Sequence, residues 1–288
     1  MGKRGAGGVE NSIHSSGEAG NGLRPGERID DLLTYDLKIV QSPEVFSFSL
    51  DAVLLARFAG LPPRGRVLDL CTGNGVVPLL LTTRTEAAID GVEIQRRLAD
   101  MARRSVAMNG LADRIRIIEA DLKEYGGSDV DGTYDAVTVN PPYLPVQSGE
   151  KKNNPHLAMA RHEIGCTLED VVAACARLVR EGGRVSMVHR PSRLADIIVT
   201  MRSMNLEPKR LRFVHSRQDT EANMVLIEAL KGGKPEIRLL PPLIVYREGR
   251  TYAQELQDVF YGHANELRHS SAPAANEWEK EREGEGAE

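Results

Sequence analysis

The run VTVNPPY, residues 137 to 143, leaves a β-type apolar segment through an amide, two prolines and an aromatic ring. Neither proline donates a backbone hydrogen bond, and each holds φ near one value. The side-chain oxygen of Asn140 and the carbonyl of Pro141 are therefore two stiffly held acceptors. Each can take one N–H of a planar NH2 group whose lone pair is delocalised into a ring or a carbonyl, turning that lone pair out of conjugation. Pro142 stiffens the exit, and Tyr143 offers a face on which a flat group can stack. Such an amine needs no strong base, because the nitrogen sheds its proton once it is alkylated. By itself the run is also compatible with a stiff loop around a buried tyrosine.

A second set of residues suits a ligand beside it. In VLDLCTGNGVV, residues 67 to 77, a strand runs into Asp69, and Gly73-Asn74-Gly75 opens a helix. Glycines there let the backbone approach a ligand and bring helix N-terminal amides next to it. Pro78 stands where a dinucleotide fingerprint would carry Gly or Ala, and it suits an early helical turn instead. The next apolar run ends in Glu93, placed to accept hydrogen bonds from two ribose hydroxyls, and the one after it in Asp121, placed to meet an adenine amino group.

The elements that must hold these residues alternate regularly. GRVLDL (65–70), AIDGVEI (88–94), RIRIIEAD (114–121), TYDAVTVN (133–140) and GRVSMVHR (183–190) read as strands. QRRLADMARRSVAMNG reads as a helix stopped by Asn109-Gly110; TLEDVVAACARLVREGG as a helix capped by Thr167 and closed by glycines; SRLADIIVTMRSMN as a helix capped by Ser192. RLRFVHS and NMVLIEAL follow as two β segments with no helix between them, which suggests an antiparallel pair. The fold class is thus α/β: a doubly wound, seven-stranded, mostly parallel sheet with an antiparallel last strand. In such sheets ligands bind beyond the carboxyl ends of the strands. Asp69, Glu93, Asp121 and Asn140 all fall at that edge.

A glycine turn after strand one with acids after strands two and three resembles motifs one to three of the S-adenosylmethionine-dependent methyltransferases, and NPPY resembles the fourth motif of their amino-methyltransferases. The resemblance implies a Rossmann-like fold and S-adenosyl-L-methionine as cofactor. It implies cofactor contacts at Asp51, Asp69, Gly73, Asn74, Gly75, Glu93, Asp121 and Asn140, with catalysis at Asn140, Pro141, Pro142 and Tyr143. Three substrates share the motif: adenine N6 in nucleic acid, guanine N2 in ribosomal RNA, and the glutamine side chain of peptide release factors. YDLKIVQSPEVFSFSLDAVLLARFA (35–59), NPPYLPVQSGEKKNNPHLAMARHEIGCTLEDVV (140–172) and PPLIVYREGRTYAQELQDVFYG (241–262) are similar to the bacterial tRNA1(Val) (adenine-37-N6)-methyltransferase family. That family implies methylation of the adenine next to the anticodon of valine tRNA. On that reading Asp51 covers the methionine end of the cofactor, with Phe46 and Phe48 as walls, while Leu50, Val53, Leu54 and Phe58 pack on the sheet. Lys151, Lys152, Arg161 and His162, in a long loop beside the site, are candidates to grip the anticodon stem-loop, and Arg210 and Arg212 on the penultimate strand form a second strip.

The rivals fit less well. A release-factor glutamine methyltransferase typically carries a helical domain before its cofactor strand, and few residues precede GRVLDL here. A ribosomal RNA guanine methyltransferase often duplicates its domain, for which 288 residues leave no room. A non-catalytic RNA-binding relative would have lost NPPY or the glycine turn. A nicotinamide oxidoreductase is disfavoured by Pro78. The chain is 41% hydrophobic and 27% charged, an ordinary globular balance, and no stretch approaches the roughly 18 apolar residues of a membrane span. Cys71, Cys166 and Cys175 make neither a disulfide framework nor a CxxC metal pair, which suits a reducing cytoplasm and no metal. The net charge of −4 is carried by the tail, where seven Glu face Arg268, Lys280 and Arg282, so it neither favours nor excludes RNA. Residues 1–27 read as a disordered Gly-rich head, 28–263 as one methyltransferase domain, and 264–288 as a charged, disordered tail. No obligate protein partner is evident.

Overall fold

The computed structural model describes residues 23–45, 50–143, 165–247, 249 and 251–261. Strands apolar on both sides need cover on both faces, and the chain supplies it. The strands β3 (Arg66–Leu70), β4 (Ala88–Glu93), β5 (Ile115–Glu119), β6 (Tyr134–Val139) and β7 (Val179–His189) lie parallel in the order β5-β4-β3-β6-β7. Beyond β7 comes β9 (Ala222–Lys231), antiparallel both to β7 and to β8 (Leu206–His215) on its far side. The expected reversed strand is therefore present, sandwiched one place in from β8. Two short strands, β10 (Arg238–Leu239) and β11 (Leu243–Ile244), add in parallel to the outer side of β8, so the sheet has nine strands among the described residues rather than seven.

One face of the sheet is covered by α1 (Leu50–Phe58), α2 (Val76–Leu81), α3 (Arg96–Met108) and α6 (Gln254–Tyr261), whose Leu54, Leu80, Ala102 and Leu256 share one core with Val67 and Ala136. The other face is covered by α4 (Leu168–Leu178) and α5 (Leu194–Ser203), whose Val172, Leu178 and Ile197 pack with Leu68 and Val137. Val53, Leu54 and Phe58 of α1 are buried, and Leu50 packs against the same core, as expected of them. Among the described residues no helix is long and apolar enough to cross a membrane.

Local chemistry sets several boundaries. Asn109 caps the end of α3 and Gly110 leaves it at φ 67°, as the Asn-Gly stop signal foretells. Thr167 begins α4 with a reciprocal capping box: its hydroxyl accepts from the Asp170 amide, and the Asp170 carboxylate accepts from the Thr167 amide. The far end of α4 departs from expectation. The helix stops at Leu178, and β7 begins at once, enclosing the glycines expected to close the helix. Gly182, at φ 71°, lets the strand bulge, and the register with β6 jumps from Tyr134↔Val179 to Ala136↔Arg184. Ser192 is not a helix cap either. Pro191 fixes a 3-10 turn over Pro191–Arg193, and Arg193 then stands before α5 without a side-chain cap. The hairpin of β1 (Arg28–Asp31) and β2 (Lys38–Gln41) was not legible in the periodicity. It is fastened to α3, where the Val40 amide donates to Ser105 and the Lys38 amide to Asn109.

Candidate active site

Strand register brings the chemistry together. Ile118, Val92, Leu70, Val139 and Met187 form one row across β5, β4, β3, β6 and β7. Each strand then releases its loop on the same side, so Cys71 to Gly75, Glu93, Asp121, Asn140 and His189-Arg190 crowd one sheet edge.

The turn after β3 is built for close approach. Gly73 sits at φ 59°, and a Cβ there would meet nothing within 4 Å, so its backbone borders open space. Gly75, at φ 89°, begins α2 and lies against Ala102, where a Cβ would come within 3.1 Å of the alanine methyl. Glu93 braces this turn: one carboxylate oxygen accepts from the Gly73 amide at 2.9 Å and the other from the Gln95 amide at 2.9 Å. Burial raises its pKa, against the pull of these amides. Asp69 is almost wholly buried; Oδ1 accepts from Thr138 at 2.6 Å, while Oδ2 has no partner. Burial pushes this carboxyl up to about 7 despite the threonine. An orphaned buried carboxylate oxygen next to an open glycine cradle is the arrangement that a cationic, ribose-bearing ligand such as S-adenosylmethionine would complete. Asp121 accepts from the Lys123 amide and lies 3.4 Å from its ammonium. Asn74 is turned away from this space: its buried side-chain amide donates to the Val40 carbonyl at 3.2 Å and fastens the β1–β2 hairpin. Its side chain thus serves the scaffold, and only its backbone belongs to the turn.

The NPPY side is tied to α1. The Tyr143 hydroxyl donates to Asp51 Oδ2 at 2.5 Å and also lies against Asn140 Oδ1. The Tyr143 ring meets His189 edge-on, with centroids 5.2 Å apart, and the Arg190 guanidinium stands 5.4 Å from its centroid. Burial drives His189 down to about 4, so its ring is neutral, and its Nδ1 accepts from the Arg190 amide. Neither His189 nor Arg190 was singled out from the sequence, although they end β7 and open its following loop, as NPPY opens the loop after β6. Thr138 was missed too; a lone hydroxyl inside the apolar run AVTV was the signal.

The other candidates separate into two groups. Phe46, Phe48, Lys151, Lys152, Arg161 and His162 lie outside the described residues. Arg210 and Arg212 are described, and both are engaged inward. Arg210 grips the fully buried Glu228 through two contacts of 2.9 and 3.0 Å and donates to the Phe58 carbonyl. Burial would raise Glu228, but Arg210 and Arg184 outweigh it and hold the carboxyl low. Arg212 is buried between the Pro241 carbonyl and the Glu255 carboxylate. Arg210 is thus committed to a buried carboxylate, and Arg212, itself buried, is turned to the Pro241 carbonyl and the half-exposed Glu255, so the pair does not stand out as a free basic strip. Among the described residues no cluster of three or more His, Cys, Asp or Glu could hold a metal ion.

Comparison with known proteins agrees with this geometry. Residues 36–202 match the methyltransferase small domain model. The tRNA1(Val) (adenine(37)-N6)-methyltransferase of Aeromonas hydrophila is 32% identical over 184 residues, 63% of this chain and 75% of the relative. That of Aeromonas salmonicida is 34% identical over 180 residues, covering 62% and 73%. Among solved structures, a predicted O-methyltransferase of Agrobacterium tumefaciens superposes with a TM-score of 0.61 at 25% identity, over 75% of this chain and 97% of that one. Pyrococcus horikoshii TYW2 in complex with MeSAdo, at 13% identity and a TM-score of 0.52 over 72% of each chain, shares the fold. The chain belongs to the methyltransferase small domain family and, within it, to the tRNA1(Val) (adenine(37)-N6)-methyltransferases.

Proposed function

We propose that this chain methylates N6 of adenine 37 in the anticodon loop of valine tRNA, with S-adenosylmethionine as donor. The observation that carries the reading is the placement of Asn140, at the end of β6, on the sheet edge that also holds Asp69 and the Gly73–Glu93 cradle. When bound, the donor supplies an electrophilic methyl group on a sulfonium. The chain's own residues do the rest. Glu93 is positioned to accept from ribose hydroxyls, Gly73 to let the ligand lie on the backbone, and Asp69 and Asp51 to receive a positive amino-acid end. Asn140 Oδ1 and the Pro141 carbonyl each accept one N–H of the target amine, which frees its lone pair for the methyl group, and the surplus proton leaves to water. Tyr143 supplies the stacking face for the base. The anticodon loop already splays its bases, so presenting an adenine costs only a few kcal/mol of unstacking.

Lys151, Lys152, Arg161 and His162 are proposed to contact the anticodon stem-loop, since cationic side chains beside a nucleic-acid site bind phosphates. Arg210 and Arg212 are assigned to the scaffold. The test is methyl transfer from labelled S-adenosylmethionine to unmodified valine tRNA, release factor and ribosomal RNA in parallel, with digestion of the RNA to nucleosides and mass spectrometry. N6-methyladenosine in the tRNA alone supports the reading. Label in release factor, or a methylated guanine, refutes it.

A further inference from the structure

Arg190 leaves β7 one residue past His189 and three past Met187, the residue that pairs with Val139 of β6. It therefore emerges level with the NPPY run, and its side chain is exposed. That side chain touches only neutral groups among the described residues. Nη1 donates to the Asn223 carbonyl at 3.2 Å, and the guanidinium carbon stands 5.4 Å from the centroid of the Tyr143 ring. The neighbouring arginines have anions of their own: Arg184 meets Glu228 at 3.0 Å and Arg193 meets Asp196 at 2.9 Å. His189 stays neutral under burial, so the positive charge at Tyr143 is that of Arg190. A guanidinium has five N–H donors in a fixed fork, and the Asn223 carbonyl takes one of them.

The place of this charge in the sheet says what it meets. The Gly73–Glu93 cradle lies at the ends of β3 and β4, whereas Arg190 lies beyond β6, two strand spacings or about 10 Å from β3. It is thus on the far side of Asn140 from the cradle. One aromatic ring separates it from Asn140, since the Tyr143 hydroxyl lies against the Asn140 side chain. A nucleotide covers such a span from the amine of its base to its phosphate. The amide of a glutamine side chain is neutral and brings no anion of its own. We propose that Arg190 grips a backbone phosphate of the RNA at the target nucleotide, and so favours a nucleic-acid substrate over a neutral amide. This rests on the tRNA methylation reading above. The open side of the guanidinium fork takes the phosphate oxygens, while the Asn223 carbonyl holds its other side.

The test measures binding of unmodified valine tRNA to the full chain, with S-adenosylhomocysteine present, between about 50 and 200 mM salt. Arg190→Gln keeps a planar donor against Tyr143 and loses the charge. Arg190→Lys keeps the charge and loses the plane. Arg190→Gln is expected to bind the tRNA roughly tenfold more weakly, about one hydrogen bond to a charged group. Its log–log salt slope is expected to fall by about 0.7–0.9, the signature of one lost phosphate contact, while Arg190→Lys keeps the slope. S-adenosylhomocysteine affinity, read by calorimetry, is expected to be unchanged in both. An unchanged slope in Arg190→Gln overturns the assignment, whatever its affinity, because packing on Tyr143 alone does not alter the slope. An equal fall in Arg190→Lys overturns it too, and so does weakened S-adenosylhomocysteine binding, which would move Arg190 to the carboxylate of the donor. Methylation of the tRNA with an unchanged slope leaves the tRNA reading standing and removes Arg190 alone. If the unaltered chain neither binds nor methylates the tRNA, that reading falls, and the phosphate contact with it.

Discussion

Replacing Arg210 by alanine separates a scaffold role for the basic strip on β8 from a role in gripping RNA. Glu228 is fully buried and takes its charge balance from Arg210, whose side chain is 15% exposed, and from Arg184, which is 49% exposed. Removing one partner of a buried ion pair costs about 3–5 kcal/mol, because the other charge stays buried and uncompensated. Arg184 and the Gly60 amide, 2.7 Å from Glu228, remain, so the low end applies: about 3 kcal/mol. In a domain of this size each kcal/mol moves Tm by about 2–4 °C, giving a fall of about 6–12 °C. Thermal unfolding followed by circular dichroism reads this directly. The same variant should leave the salt dependence of tRNA binding unchanged, since each lost phosphate contact would reduce the log–log slope by about 0.7–0.9. Glu228→Gln should also lower Tm, leaving two guanidiniums without their anion. An unchanged Tm together with a shallower salt slope would return Arg210 to the RNA surface.

Asn140→Ala should lower turnover by roughly a hundredfold or more, as loss of a preorganised polar contact does, with S-adenosylhomocysteine affinity largely kept; Glu93→Ala should instead weaken that affinity, both read by single-turnover kinetics and calorimetry. Asp69 has a folded pKa of about 7, above its unfolded value, so its stabilising contribution is full below pH 4 and is lost as pH rises through 7. Asp69→Asn should therefore raise the Tm of the ligand-free chain at pH 8 and lose that advantage near pH 4, measured by unfolding scans across the range. Thr167→Ala removes half of the capping box on α4 and should cost about 1 kcal/mol, seen as a shift in the denaturation midpoint.

Much of this architecture could be read from residues alone because the signals are local. Apolar runs ending in Asp69, Glu93 and Asn140 declare strands, and Asn109-Gly110 and Thr167 declare helix boundaries within one turn of the chain. What could not be read depends on distant partners. The β1–β2 hairpin is held by Asn74, Ser105 and Asn109, residues 34 to 71 positions away, and its own pattern is too short to announce it. Arg210 and Arg212 look like a basic strip until Glu228 and Glu255 are brought opposite them by β9 and α6. The glycines after α4 signal a helix end, but they relieve a bulge in β7, because Val179 already pairs with Tyr134. In the site itself, chemistry-bearing residues at strand ends were visible; the contacts that hold Tyr143, from Asp51, His189 and Arg190, required the fold.

The proposed activity is transfer of a methyl group at this sheet edge to one adenine nitrogen of the anticodon loop. The most direct measurement is single-turnover methylation of unmodified valine tRNA beside the same transcript with guanosine in place of adenine 37, each mapped by nuclease digestion and mass spectrometry. One N6-methyladenosine at position 37 is expected in the first transcript and no incorporation in the second. Equal incorporation into both, or methylation at another nucleotide, would contradict it.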